Sequence, residues 1–343
     1  MGVVGWWWWW VGCLGGGSTG PESAPLVVDH GVDPAVRRIR IGALNDESGP
    51  AKSIGHPFAL GKRVLVARAN AGGTGWLPEG WTLELVERDH AYSPAEARRG
   101  LAEIADDVLF VTTSFGTEHT LAIRDGLQAA DLVAFPASLS TALHGNPLTP
   151  VLGASYEAEA RRAVDYHVVE ADGRPIKLAV VHQPDAYGGD VARGATAAAA
   201  TYGLGEPLLL PARNPEEASA LGARLASEAI THVVLGTLPP LTLALLEDSR
   251  ARKSAVVWVG ATPSWSDAFA RRPDGLELLA SYRQTSSLPW WGEDLPGMDG
   301  FESAFAEYGG GEPADGYVLM SYAMGMVQLE AVGRAIEAGD VTR

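Results

Sequence analysis

The sequence predicts an α/β protein of two doubly wound parallel-sheet lobes joined by a hinge, and three observations carry that prediction. Eight short segments are mostly continuous apolar runs without polar alternation, the pattern of strands covered on both faces. Helix-start signals stand between them, so strand and helix alternate as a parallel sheet requires. The pattern resets near Pro147 to Ser155, which divides the eight strands into two sets of four.

In chain order, residues 14–36 are rich in Gly, Ser, Pro and acids and read as a flexible linker after a segment 1–13. Lobe one is expected over 37–150, with strands at 39–44, 82–87, 108–111 and 132–135. Its first strand runs into a Ser48-Gly49-Pro50 turn, and Ala71-Gly72-Gly73 ends the first helix. Ser93-Pro94-Ala95-Glu96 supplies an N-cap serine, a first-turn proline and a glutamate at the capping-box position. Ile123 and Leu127 mark one face of a following helix. Residues 146–150 (Asn-Pro-Leu-Thr-Pro) are the expected first crossing into lobe two, which spans 151–280. Its strands are expected at 177–181, 207–210, 232–235 and 255–259, with Asn214-Pro215-Glu216-Glu217 repeating the helix-start logic. Near Ser281 the chain is expected to return to lobe one through about 335, ending in an apolar-periodic helix from Tyr317 to Ala338.

Two loops draw attention as a site. The run 108–111 breaks into a Thr/Ser/Gly loop at 112–117, and the run 132–135 ends in Pro136-Ala137-Ser138-Leu139-Ser140. In a parallel sheet both loops emerge at the carboxyl edge, where open α/β sheets bind ligands. Hydroxyls and free backbone N–H groups there suit a carboxylate or similar polar head group. Ser114, Gly116 and Thr117 are the first choice for head-group contacts, and Ser48, at the end of the first strand, closes that face. Turn and cap chemistry explains the same residue types without a ligand, but two such loops in consecutive units favour binding.

Further stretches resemble one family. IRIGALNDESGP at 39–50, YSPAEA at 92–97 and AVVHQPDAYGGD at 179–190 are similar, in order and spacing, to bacterial solute-binding proteins of the branched-chain amino acid ABC transport type. The resemblance runs from about Arg37 to the end. It implies the type I periplasmic binding fold, closure of two lobes on a small polar ligand such as an amino acid or amide, and delivery to an ABC permease. It also implies a second ligand loop at Ala137, Ser138 and Ser140, and an aromatic contact from Tyr187. Relatives that bind amino acids carry an acid near the position of Thr262, and the nearest acid along this chain is Asp267. Relatives also continue with further strands beyond the point that corresponds to Arg343, so a missing C-terminal part is expected. Trp265, Trp290 and Trp291 are further candidates for the cleft border, packing being their commoner use.

The ends and the composition set limits. Cys13, the single cysteine, follows Trp10-Val11-Gly12 and precedes a Gly/Ser-rich spacer, which resembles a lipobox. Trp10 replaces the usual aliphatic, and the first basic residue is Arg37, whereas a secretory signal needs a positive start. An upstream start would supply it, and Cys13 would then be lipidated, placing the protein at the periplasmic or outer face of the envelope; the alternative is a tail without function. One cysteine allows no disulfide framework. With 26 basic against 42 acidic residues and a net charge of −16, nucleic acid is a poor partner and an anionic bilayer is repelled, so membrane contact is expected only through a lipid anchor.

Enzyme readings find little support. G-x-S-x-G, H-E-x-x-H and the phosphate-binding G-x-x-x-x-G-K-[ST] are absent, and no G-x-G-x-x-G follows the first strand. No cofactor or metal is therefore expected. Two alternatives stay open at this point: a ligand sensor with the same fold, and a hydrolase with Ser114 as nucleophile and His119 as base, beside Glu118.

Overall fold

A computed structural model describes residues 26–343. Cys13, the tryptophan tract and the first part of the expected linker lie outside the described residues.

The first parallel sheet is centred on Arg38–Asn45, which pairs with Thr82–Asp89 on one side and Val111–Phe115 on the other, with Ala134–Ala137 outermost. The second has Leu178–His182 flanked by Leu208–Pro211 and His232–Gly236, then Val257–Gly260 and Tyr282–Gln284 at the far edge. In each sheet the chain leaves a strand to one side and returns on its other side, creating a switch point at the carboxyl edge.

Two expected strands are displaced toward their C-termini. The run at 108–111 is the lead-in, and the strand itself is Val111–Phe115, so most of the expected hydroxyl loop is buried ladder. Thr and Ser are tolerated there because their hydroxyls find nearby partners. Thr112 Oγ1 donates to Gln328 Oε1 on the last helix, and Ser114 Oγ pairs with Thr120 Oγ1 at 2.8 Å. Likewise 132–135 becomes Ala134–Ala137, an edge strand that accommodates Pro136. Part of the expected linker carries short strands. Val27–Val28 pairs in parallel with Asp340–Val341, and Val32–Asp33 pairs antiparallel with Arg38 and Ile39. Short two-residue strands satisfy their backbone in this way despite the surrounding Gly and Pro.

Helix starts follow the sequence signals. The side chains of Ser93 and Asn214 accept from the backbone N–H of Glu96 and Glu217, and Asp185 does the same for Gly188. The last helix, Gly316–Ala338, packs along the first, Lys52–Asn70, and so belongs with the first sheet. Helix Ala186–Thr201 lies unusually close to helix Tyr156–Ala171; a Cβ on Gly194 would stand 2.2 Å from the Glu157 carbonyl oxygen. Separate apolar cores fill each lobe. A further cluster bridges the cleft, joining Ile54, Phe58, Phe115, Tyr317, Met320 and Met324 to Leu238 of the second lobe.

The chain crosses between lobes over 150–155, just past the expected 146–150, where the Leu148 carbonyl still accepts from Ala134 of the first sheet. It returns over 285–290 and not near Ser281, because Tyr282–Gln284 is an unexpected edge strand of the second sheet. These crossings are bonded to each other, with the Ala154 N–H donating to Ser287 Oγ at 3.1 Å.

Candidate functional site

A cavity lies where the carboxyl edges of the two sheets face one another, and encloses about 600 Å³ of empty space including its mouth. Its position follows from the two switch points. The strand ending at Phe115 delivers Phe115, Gly116 and Thr117; the strand ending at Ala137 delivers Ala137, Ser138 and Leu139. From the second lobe come Tyr156, Tyr187, Leu238, Thr262 and Pro263. Ile54 and Phe58 of the first helix and Tyr317, Met320 and Met324 of the last form the apolar floor, with Tyr92 and Leu288 at the rim.

Gly116 is required by its backbone, which turns through φ +89°. The chain also passes so close to His119 that a Cβ would meet its Nδ1 at 2.4 Å. Thr117 Oγ1 and Ser138 Oγ lie 2.7 Å apart and the Tyr156 hydroxyl is bonded to Ser138, so this chain of three hydroxyls keeps one hydrogen free to donate. Tyr187 stands edge-on to Tyr156, with ring centroids 4.7 Å apart, and donates its hydroxyl to the Thr237 carbonyl at 3.4 Å. Tyr317 donates to the Thr262 carbonyl at 2.6 Å.

Of the residues expected from sequence, Gly116, Thr117, Ala137, Ser138, Tyr187 and Thr262 are brought together on this cavity. Three others are not. Ser114 points away from it toward Thr120, because alternation along the strand turns Phe115 inward instead. Ser140 caps the turn at Thr141–Leu143 by accepting from the Ala142 N–H at 3.3 Å. Ser48 is exposed, and its hydroxyl lies beside the Asp89 carboxylate. The candidate tryptophans pack rather than line the cavity: Trp265 lies parallel to Tyr282, Trp290 meets Tyr317 edge-on, and Trp291 contacts Phe301 and Phe305. Asp267 is spent on structure, accepting from Trp265 Nε1 at 2.6 Å and from the Gly316 N–H at 2.6 Å.

The hydrolase alternative does not survive this geometry. Ser114 Oγ is buried against Thr120 and makes no hydrogen bond to His119. The His119 ring is stacked on His90 at 4.6 Å and packed against Tyr92 at 4.3 Å. Burial lowers the pKa of both imidazoles, that of His90 to about 4, so both are neutral near pH 7. Glu118, in the first turn of the helix that follows Gly116, reaches the other lobe and accepts from the Ala186 N–H at 3.0 Å.

Sequence reasoning missed most of the cavity wall. Ile54 and Phe58, and Tyr317, Met320 and Met324, recur at helical spacing, a signal shared with any core-facing stripe. It also missed Glu159, a buried carboxylate lying directly behind Thr262. Its Oε2 accepts from the Thr262 N–H at 2.8 Å and its Oε1 from the Thr262 hydroxyl at 2.7 Å. Among the described residues, no group of His, Cys, Asp and Glu is arranged to hold a metal ion.

Residues 38–343 match the family described as periplasmic binding protein. No curated protein matches the chain. Among solved structures, a fatty acid ABC transporter substrate-binding protein from Thermomonospora curvata superposes with a TM-score of 0.84 at 23% identity, covering 92% of this chain and 80% of that one. A branched-chain amino acid ABC transporter protein from Thermus thermophilus with bound valine gives 0.72 at 21% identity, covering 88% and 78%. A solute-binding protein from R. palustris in complex with 4-hydroxybenzoate gives 0.72 at 16% identity, covering 89% and 83%. At these identities the likeness is one of fold.

Proposed function

The chain belongs to the periplasmic binding protein family, a family of binding proteins rather than enzymes, and on that premise we propose that it captures a small ligand with one acidic or amide head group and a largely apolar body, for delivery to an ABC permease. Binding and lobe closure are the whole mechanism.

The observation that carries the ligand class is the lining. No side chain on the cavity is charged, and Ile54, Phe58, Phe115, Leu238, Met320 and Met324 surround the space beyond Thr117 and Ser138. An α-amino acid would bring an ammonium group without a carboxylate to receive it, at a cost of several kcal/mol. The polar ligand expected from sequence thus fits only the hydroxyl end. An apolar body gains ~25 cal/mol for each Å² removed from water. The diversity of ligands named for proteins of this fold, a fatty acid carrier and a 4-hydroxybenzoate complex among them, is compatible with this class.

Calorimetry with benzoate, 4-hydroxybenzoate and octanoate, against leucine and valine, tests the reading. Carboxylates with apolar bodies should bind at least about tenfold more tightly than either amino acid, a difference of ~1.4 kcal/mol. Tighter binding of leucine or valine would overturn it.

Attachment to the envelope through Cys13 is proposed separately, on the lipobox-like segment alone. Intact-mass analysis of protein from the membrane fraction tests it, and an unmodified thiol on a chain retaining its tryptophan tract is the contrary result.

A further inference from the structure

The hydroxyl groups on the cavity divide into two kinds. At the Thr262 end of the cavity every hydroxyl hydrogen is already committed to the protein. The Thr262 hydrogen goes to Glu159 Oε1 at 2.7 Å, with the Thr285 carbonyl at 3.2 Å as the alternative acceptor. The Tyr187 hydrogen goes to the Thr237 carbonyl and the Tyr317 hydrogen to the Thr262 carbonyl. What these groups turn toward a ligand is lone pairs. At the other end, Thr117, Ser138 and the Tyr156 hydroxyl bonded to Ser138 form a chain that retains one free hydrogen. Glu159 itself is 3% exposed and does not line the cavity.

We infer that Glu159 is a specificity-determining positioning residue: by holding the Thr262 hydroxyl and amide from behind, it makes the Thr262 end of the cavity acceptor-only, so the site admits a ligand with one acidic head at Thr117 and Ser138 and rejects a second acidic group at its far end. This deepens, and rests on, the ligand class proposed above. Two physical effects act in the same direction. A far-end carboxylate would meet lone pairs instead of donors, losing its water without replacement. It would also face the Glu159 charge through one hydroxyl in apolar surroundings, where like charges repel strongly. A far end that is apolar, or that donates a hydrogen bond, meets neither obstacle.

The same carboxylate gives the discrimination a dependence on pH. Burial pushes the Glu159 carboxyl up to about 7, against the hydrogen bonds from Thr262 and the Ser287 amide that favour its charged form. The ionisable groups around it are the phenols of Tyr156, Tyr187 and Tyr282, which burial holds protonated through the neutral range. As pH falls through neutrality Glu159 gains a proton, its charge is lost, and rejection of a second anion relaxes.

The test uses the full chain with two probes, benzoate and its para-dicarboxylate terephthalate, in the wild type and in Glu159→Gln and Thr262→Val. The wild type should bind benzoate at least about tenfold more tightly than terephthalate at about pH 8.5, with a smaller ratio at about pH 5.5. In Glu159→Gln the ratio should shrink and lose its pH dependence while benzoate affinity changes less than about twofold. Equal affinity of the wild type for both probes at about pH 8.5, or an unchanged ratio in Glu159→Gln, overturns the inference. If neither probe binds, the ligand class fails, and a ligand-free arm decides the role of Glu159. Its carboxyl carbon, assigned by the resonance missing from Glu159→Gln, should titrate about one pH unit higher in Thr262→Val, where the hydroxyl bond is gone. No shift there overturns the inference without reference to any ligand.

Discussion

Asp190, on helix Ala186–Thr201 of the second lobe, receives both the backbone N–H and the hydroxyl of Thr141, which lies in the first lobe beside the hydroxyl loops. The distances are 2.8 and 2.6 Å. Arg193 also contacts the buried Asp190 carboxylate and donates to Thr141 Oγ1 at 3.1 Å. A few residues away, Glu118 holds the Ala186 N–H. These bonds join the two lobes, so on the proposed closure they would bias the protein toward the closed form.

Asp190→Ala should therefore open the molecule. Hydrogen bonds to a charged group are worth ~1.5–3 kcal/mol each, and apparent affinity falls with the closed fraction. The expected outcome is a loss of at least about tenfold in affinity, with a larger ligand-free radius of gyration in small-angle scattering. An unchanged radius would show that Asp190 has no part in closure.

At the head-group end, Thr117→Val and Ser138→Ala each remove a hydroxyl from the pair 2.7 Å apart. Each should weaken binding of a carboxylate about tenfold to a hundredfold, by calorimetry. Ser114→Ala is the contrast. Its hydroxyl faces Thr120 behind the strand, so it should lower stability by about 1 kcal/mol and leave affinity untouched.

Tyr187→Ala removes the second-lobe aromatic while leaving the hydroxyl loops intact. A ligand shifts an opening equilibrium only through contacts it makes better in one form. Ligand-induced compaction should thus be muted in this variant, as scattering with and without ligand will show. Full compaction in the variant would place the second-lobe contact elsewhere.

Lys62 gives a prediction about pH. It is 1% exposed, between the first and last helices, and donates to the Ser321 carbonyl at 3.3 Å and to Gln328 Oε1 at 3.4 Å. Burial lowers its pKa from 10.5 to about 7. Between those values the unfolded chain holds more protons than the folded one, so this residue makes stability rise with pH across that window. Below about pH 7 both states are charged and the full burial penalty applies. Lys62→Met should raise stability by ~2 kcal/mol. The gain in thermal midpoint should be larger at about pH 6 than at about pH 10. A destabilised variant at both pH values would contradict this.

The scaffold could be read from the chain because strands of a covered parallel sheet must be apolar throughout, and because Ser93 and Asn214 cap their helices through purely local bonds. Strand ends were less legible. At 111–115 tertiary partners such as Gln328 and Thr120 make buried hydroxyls tolerable, and neither is visible from the run itself. The hydroxyl rim of the site was found because turn chemistry is local. Its floor was not, since Phe58 and Met324 carry the same spacing as any core stripe. Glu159 lies 103 positions from Thr262, and only the folded second lobe brings them together.

The bond between Ala154 and Ser287 fastens the two crossings into one strap. Two independent tethers would let the lobes slide and twist past each other, whereas a strap bends about a single line. The motion is then described by one angle, as with a door on its hinge pin. On the proposed delivery to a permease, a transporter docked on the outer faces would sense that angle, and not the chemistry of whatever lies inside. Ligands of different length that bring the lobes to the same angle are equivalent as cargo, so selectivity has to be exercised inside the cleft, before the door shuts.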